Sequence, residues 1–393
     1  MAGYLFLVNS EGSLRDCMET GTYSTLVRNP RHGVWSSPAE GTLADYATMS
    51  PGDNVYFFRQ RRIYGVGEMI SIDGVSSFEN FPGASRPDVE SDGAAQNDEW
   101  LVGDKTNHDG KSQRWVCVFR GAPDFFTAGV DMDDVLASEP GAFRILRAMW
   151  KLSFIKFDDE ENQAFKNAIY KANQAALASP QPGHTVFENR QGVTHSRIAD
   201  LVSTGDYALN AEAVVLGCRN DNRLRHEMAL EAGLLAQLTR EGSSARAAIG
   251  SWDYLSHQVV ASPFKPVDYM DKMDVFGYRW IPSYRPTIAE YLVCELKKDT
   301  ASRHDVEQTM KYVDWIRDEY AHGDYSMIAA YLVAADFASD VAEFASGIGK
   351  RSFMTQRRPA RSQEWSNLNL IRYSVTDEGL IFTPAGVLEV VQI

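Results

Sequence analysis

Glu295 and Lys297 stand two residues apart where the apolar stretch EYLVCELKKD, residues 290–299, runs into charge. On a strand that spacing puts both side chains on one face. Lys298 falls on the other face and reads as a plain surface lysine. Asp274 begins DVFGY upstream, where a strand turns. Two converging carboxylates can hold one or two hard Mg²⁺ (or Mn²⁺) ions through oxygen ligands, and the carbonyl of the intervening Leu296 is a further candidate ligand. A lysine beside them can orient or deprotonate a water and stabilise charge on a phosphate. Glu227 and Glu231, four apart on one helix face, can each add a carboxylate.

These residues need elements to hold them. The second half of the chain has helical spacing over NRLRHEMALEAGLLAQLTREG, with Asn222 as N-cap and Gly242 as stop. Strands follow at WDYLSHQVVAS, at DYMDKMDVFGYRW and at IAEYLVCELKK. A helix, SRHDVEQTMKYVDWIRDEYA, and a buried strand, YSMIAAYLVAADF, come next, then a helix through about Ala345 and a terminal pair of strands.

This order resembles the PD-(D/E)xK nuclease superfamily, and more narrowly its RecB-like members, over roughly residues 220–345. The residues that carry the resemblance are Asp274, Glu295-Leu296-Lys297 and QTMKY, in which Gln308 and Tyr312 match a glutamine and a tyrosine of such nucleases. The resemblance implies an α/β/α core of helix–strand–strand–strand–helix–strand, an upstream helical glutamate (Glu227 or Glu231), and Mg²⁺-dependent cleavage of phosphodiester bonds. Asp274, Glu295 and Leu296 would hold the metal.

The first half reads as mixed α/β. YLFLV, GDNVYFF, IYGVGEMISI and RWVCVFRGA are strands, and GSLRDCMETG is a helix with a glycine stop. The polar stretch GVSSFENFPGASRPDVESDGAAQNDEW is an insert of functional or mobile character. Trp115 and Trp150 read as core. Trp35 follows a glycine and precedes Ser-Ser-Pro, and Trp100 lies in a polar loop, so both read as exposed indoles that need a reason.

The stretch from YLFLVNS through GVWSS and NVYFF to GVGEM resembles a YTH domain, within the PUA/EVE-like group, and RWVCVF and LSFIKFDDEENQAF continue it. The resemblance implies a β-barrel with helices that holds N6-methyladenine in an aromatic cage. Trp35 and Trp100 would be the cage indoles. The backbone at Ser36 would meet the methylated base, and Asn9 and Ser10 would touch the base edge. Stacking on the order of 1–3 kcal/mol per base offsets the few kcal/mol needed to flip a base from a duplex. The segment between Arg120 and Arg144 lacks the polar contact residues of eukaryotic YTH domains, so 5-methylcytosine is an alternative ligand.

The chain has 393 residues and a net charge of -14, which argues against indiscriminate coating of nucleic acid or anionic membrane. Local basic clusters fit phosphate tracking: Arg59, Arg61 and Arg62 on a turn, and Lys350, Arg351, Arg357, Arg358 and Arg361 in a proline-interrupted loop. The four cysteines are in no zinc-ligand spacing and read as reduced thiols, consistent with a cytoplasmic protein. No apolar run is long enough for a membrane span, and the opening residues turn polar too soon for a signal peptide.

The expectation is therefore a two-domain α+β protein: a reader over 1–165, a connection over 166–215 and a nuclease over 216–393. Its job would be modification-dependent restriction of double-stranded DNA, as a homodimer because both strands must be cut. An RNA-directed reader or nuclease and a mismatch- or repair-type endonuclease are the rival expectations.

Overall fold

Strand β1 (Gly3–Leu7) is apolar throughout because both its faces are covered. Leu5 faces a cluster with Tyr56, Ile63, Val66, Phe157 and Phe165. Phe6, on the other face, meets the rings of Tyr23, Phe57, Phe119 and Phe154 at centroid distances of 4.7–5.8 Å. The computed structural model describes residues 1–27, 35, 37–86, 99–102, 113–143, 154–178, 188–261 and 271–385. The chain is mixed α/β and divides into two units, Met1–Asn210 and Ala211–Ile393.

In the first unit β1 is followed by α1 (Glu11–Thr20), β2 (Thr22–Leu26), α2 (Ser37–Thr48), β3 (Asn54–Arg59), β4 (Arg62–Met69), β5 (Ser77–Glu79), β6 (Arg114–Gly121), β7 (Val130–Asp131), α3 (Met132–Ser138), β8 (Phe154–Phe157), α4 (Asp159–Ala172), α5 (Gln174–Ala178) and α6 (Gln191–Val202). The sheet runs β2-β6-β4-β3-β1-β8, with β5 also on β6 and β7 on β4. Among the described strands, β1 and β3 are the parallel pair in this unit, in register from Gly3↔Asn54 to Leu7↔Phe58. A Cβ on Gly3 would lie 2.6 Å from Asn162 Oδ1 and would displace the side chain that accepts from the Tyr56 hydroxyl.

Two expectations change here. The polar stretch after residue 73 is in part structural: Phe78, Phe81 and Ala84 are buried, and Phe78 packs with Val116, Val118, Ile198 and Tyr207. The same cluster draws in α6, which the sequence left in a connection. Arg190 pairs with Glu19 at 2.8 Å, and His195 Nε2 meets the Gly21 carbonyl at 3.1 Å. Residues 166–210 thus belong to the first unit.

The second unit contains α7 (Ala211–Leu216), β9 (Arg219–Asn220), β10 (Arg223–Leu224), α8 (Glu227–Thr239), α9 (Ser244–Ile249), β11 (Tyr254–Val260), β12 (Lys272–Trp280), β13 (Ile288–Ala301), α10 (Arg303–Glu319), β14 (Ile328–Phe337), α11 (Val341–Ile348), β15 (Arg351–Arg357), β16 (Ala360–Trp365), β17 (Leu368–Thr376) and β18 (Gly379–Pro384). Its main sheet runs β11-β12-β13-β14-β17-β18. The β13-β14-β17 centre is parallel and the flanking pairs are antiparallel.

Helix α8 starts later than its sequence suggests. Asn222 is not a cap but part of the tight turn between β9 and β10, where Asp221 takes a positive φ of 55°. Once formed, α8 is buried almost all round. A Cβ on Gly233 would lie 2.7 Å from Leu380 Cδ1, so a larger residue there would require the Leu380 side chain to move. Helices α8 and α10 both pack on β13. The basic stretch read as a loop is a two-stranded ribbon: β15 and β16 pair with each other outside the main sheet. None of the four cysteines forms a disulfide among the described residues, and no described helix is long and apolar enough to cross a membrane.

Candidate active site

The site forms where β12 and β13 part company. Their antiparallel pairing runs from Trp280↔Ile288 to Val275↔Cys294 and goes no further. Beyond it the Asp274 side chain substitutes for a strand carbonyl: the Leu296 N–H donates to Asp274 Oδ2 at 2.8 Å. β13 continues alongside β14, which keeps Glu295, Leu296 and Lys297 extended. Glu295 is 1% exposed and Lys297 is half-buried, and their side chains meet, Nζ to Oε1, at 2.5 Å.

Both helical glutamates arrive, at different corners. Glu227 sits in the first turn of α8. Its Oε1 is 3.8 Å from Lys297 Nζ, and its Oε2 accepts from the Lys298 N–H at 3.2 Å. Glu231, one turn on and buried, lies on the Asp274 side. His257 Nδ1 meets its Oε1 at 2.7 Å. Gln258 Nε2 donates to its Oε2 at 2.7 Å and to Asp274 Oδ1 at 3.3 Å. The contact to a carboxylate makes His257 Nδ1 the protonated nitrogen. On α10, Gln308 Nε2 donates to the Tyr312 hydroxyl at 2.8 Å. Burial, then the charges of Glu295 and Asp274, push that phenol's pKa up, which puts Tyr312 within the field of both carboxylates. Lys298 turns its ammonium to Asp299 at 2.8 Å, outside the cluster.

Three participants were not read from the sequence: His257, Gln258 and Asp305. Asp305 lies 3.9 Å from Lys297 Nζ through Oδ1, while its Oδ2 accepts from the N–H and hydroxyl of Ser302 at 2.7 and 2.8 Å. The S-x-x-D spacing at 302–305 is a capping signature that could have placed it. Gln258 had no such signal. It takes a positive φ of 52° inside β11, opposite Asp274, a strained backbone for a long side chain.

The electrostatics are those of crowded acid. Burial raises the Asp274 pKa far above its ordinary value, and the charges of Glu295 and Glu231 add to that. Burial raises Glu295 to about 7 against the opposing pull of Lys297. Burial works against the Lys297 charge, yet Glu295 beside it holds the ammonium above its ordinary pKa. Glu295 Oε2 is buried with no hydrogen-bond partner among the described residues. A divalent cation suits this set, because it would occupy an orphaned oxygen and neutralise carboxylates that repel one another. Among the described residues no three His, Cys, Asp or Glu side chains form a ready-made ligand group. The expected set, Asp274, Glu295 and the Leu296 carbonyl, would bring two carboxylates, within the one or two that magnesium sites usually take from the protein.

Gln258→Gly should lower thermal stability only modestly, since relief of backbone strain offsets part of the loss of two hydrogen bonds, to Glu231 and to Asp274. It should weaken any metal-dependent activity of the site by about 10- to 100-fold, the usual cost of losing a group that orients ligands. Thermal melts and a rate measurement check this. An unchanged rate would mean that Gln258 positions nothing.

In the first unit Asn9 and Ser10 line a cleft of about 790 Å³ together with Arg15, Tyr23, Ser24 and Arg190. Ser10 also caps α1, accepting from the Ser13 N–H at 3.0 Å. The expected exposed indoles are not exposed. Trp35 is 1% accessible, its ring 6.3 Å from that of Trp115, and Trp100 is 4% accessible, 5.6 Å from Phe81. Residues remote in sequence pack against both, Trp115 of β6 on Trp35 and Phe81 and Ala84 on Trp100, which local polarity does not reveal. Neither is among the residues lining the cleft, and both indole N–H groups lack partners among the described residues. Trp115 is core, as read; Ser36 and Trp150 lie outside the described residues.

The first basic cluster is largely spent on internal contacts. Arg61 pairs with Asp133, Arg62 donates to the Gly129 carbonyl at 2.9 Å, and Arg59 lies 3.9 Å from Glu11. Arg357 and Arg358 are exposed on the β15–β16 ribbon.

No family model and no curated protein matches the chain. Among solved structures, it is similar in part to a repair endonuclease from Pyrococcus abyssi, at 22% identity and a TM-score of 0.21, over 34% of this chain and 47% of that one. It is also similar in part to the protein of an EndoMS–dsDNA complex, at 19% identity and a TM-score of 0.20, over 33% of this chain and 45% of that one. The similarity thus spans less than half of either chain.

Proposed function

We propose that the chain is a metal-dependent DNA endonuclease whose second unit carries a PD-(D/E)xK-type centre and whose first unit recognises a modified base, N6-methyladenine. The observation that carries the nuclease reading is the convergence of Asp274, Glu295 and Lys297 on two diverging strands, with Glu227, Glu231, Gln308 and Tyr312 brought to them by two helices. Acidic oxygens beside one lysine, in a partly buried recess, suit hydrolysis of an anionic phosphodiester.

Asp274 and Glu295, with the Leu296 carbonyl, would hold Mg²⁺ (or Mn²⁺), which when bound supplies Lewis-acid activation of the phosphate and of water. The rest belongs to the chain. Lys297 holds its ammonium where it can steady an attacking water or the charge that grows on a non-bridging oxygen. Glu295 fixes that ammonium at 2.5 Å, and Glu227 and Asp305 bias it towards the charged form. His257 and Gln258 hold Glu231 in place with one donor on each oxygen.

The reader assignment rests on the YTH resemblance together with the polar cleft beside Asn9 and Ser10. Cleavage of both strands of a duplex by a single centre per chain suits a homodimer. The test uses two duplexes of identical sequence, one with N6-methyladenine, incubated with the full chain and Mg²⁺. The methylated duplex should be cut at least tenfold faster. Equal cutting would end the reader assignment and leave the nuclease; a 5-methylcytosine duplex cut in preference would reassign the base. No cutting of any duplex or single-stranded RNA, with Mg²⁺ or Mn²⁺, would end the nuclease reading.

A further inference from the structure

The β15–β16 ribbon is built to be rigid at its root and bare along its length. Phe353 and Trp365 are buried against Tyr325, and the Trp365 indole N–H donates to the Ile328 carbonyl at 2.8 Å. Arg351 grips Asp314 with two nitrogens at 2.8 and 3.0 Å. Beyond Phe353, every residue from Met354 to Glu364 is exposed, Met354 at 63%. An antiparallel pair standing alone in water is marginal, so such a projection calls for a partner.

Its chemistry points to which partner. Between Arg351 and Gln363 there is no acidic residue, in a chain of net charge -14. Arg357, Arg358 and Arg361 make no ion pair among the described residues. Of the other exposed residues, Thr355, Gln356, Ser362 and Gln363 carry donors and acceptors of the kind that read base edges, with Gln356 Nε2 resting on the Arg358 carbonyl at 3.0 Å; Met354 adds an apolar contact, and Glu364 at the root lies 3.4 Å from Lys350. The four residues of β15 beyond Phe353 give a reach of about 13 Å at roughly 3.3 Å per residue, and a two-stranded ribbon fits a major groove about 12 Å wide and 8.5 Å deep. The root is not far from the chemistry. Trp365 is bonded to Ile328, Ile328 pairs with Tyr291, and Tyr291 is four residues from Glu295 on the same strand. That is about 13 Å along β13, well under one helical turn of duplex.

We infer that the β15–β16 ribbon is a DNA-reading arm that enters the major groove of the duplex near the scissile bond, with its arginines on phosphates and its glutamines and serine at base edges. It would give the nuclease unit a sequence preference of its own, separate from base recognition in the first unit. The inference rests on the DNA reading of this chain.

The test is binding by fluorescence anisotropy in Ca²⁺, using the full chain, a 30-base-pair duplex and a salt series, with R357A/R358A/R361A and Gln356→Ala as variants. The triple variant should lose at least tenfold in affinity, with a log–log salt slope shallower by about 2–3. Gln356→Ala should bind an average sequence nearly as wild type but flatten the preference in a pool of randomised duplexes. Replacing adenine by 7-deazaadenine, which removes the N7 acceptor that a glutamine side chain reads, should weaken the wild type and leave Gln356→Ala less affected. Wild-type affinity and slope in the triple variant, with normal cleavage, would overturn the arm and spare the nuclease. A loss of self-association in its place would assign the ribbon to a second copy of the chain and also overturn it. Failure of the wild type to bind any duplex would instead strike the DNA reading itself. All these substitutions are at exposed positions, and matched melting curves confirm that the fold is unchanged.

Discussion

Lys297→Ala should lower single-turnover cleavage by about a thousandfold, within the 10²- to 10⁴-fold range for a positioned proton-transfer group, while duplex binding in Ca²⁺ changes only a few-fold. Its ammonium is 2.5 Å from Glu295 and within 4 Å of Glu227 and Asp305, so it is the positive centre of a ring of acids. Its removal also has a stability signature. Glu295 already has a pKa near 7 with the lysine present, and without it the carboxyl stays protonated to higher pH. The variant should therefore melt close to wild type at pH 5 and progressively below it at pH 8, where the orphaned carboxylate must ionise. Full cleavage by Lys297→Ala would remove the lysine from the chemistry. A stability loss independent of pH would mean that the lysine only packs.

Asp274→Asn should do two opposite things. Cleavage should fall by at least about a thousandfold, as expected when a metal-binding and charge-bearing group is neutralised. The cation-free protein, however, should melt several degrees higher at pH 8. Asp274 and Glu295 both have pKa values raised in the fold. The folded state then holds more protons than the unfolded one between the ordinary carboxylate range and about pH 7. Stability from Glu295 is complete below about pH 4.5 and is lost as pH rises through about 7, and Asp274, raised in the same direction, contributes with the same sign. Asparagine removes one repelling charge yet keeps an oxygen for the Leu296 N–H. Mg²⁺ should raise the wild-type melting temperature in EDTA-stripped protein and have much less effect on the variant. A variant less stable than wild type at pH 8, or equally stabilised by Mg²⁺, would contradict this account. A protein that sacrifices cation-free stability at one cluster is following a familiar trade between stability and activity.

The parts of the site legible in the sequence were those whose signal is local. Glu295 and Lys297 announce themselves by alternation on an apolar strand, and Gln308 and Tyr312 by their spacing on an amphipathic helix. The choice between Glu227 and Glu231 was not local: one lies near the lysine and the other shares the Gln258 amide with Asp274, because α8 packs across both strands. Gln258 was invisible because nothing in SHQVV marks a left-handed residue, and the strain is imposed by β12 and by the acids it serves. The exposure of Trp35 and Trp100 was misread in the opposite direction. Their neighbours in sequence are polar, but Trp115 and Phe81 from elsewhere in the chain close over them. The ribbon read as a loop because Pro359 and the arginines signal a turn, while its two strands lack the apolar alternation that only a covered face imposes.

Leu296 shows how position can matter where identity does not. Its N–H is held by Asp274, its carbonyl is the group proposed to face the metal, and its side chain is wholly buried away from both. The chemistry therefore uses the peptide unit and is blind to the side chain. An isoleucine or valine there would be a change of packing alone, whereas a proline would delete the donor that keeps Asp274 aimed. Between two residues that cannot be exchanged, the site has a seat open to any apolar occupant, which makes it the natural place to tune the rigidity of the centre without touching its charges.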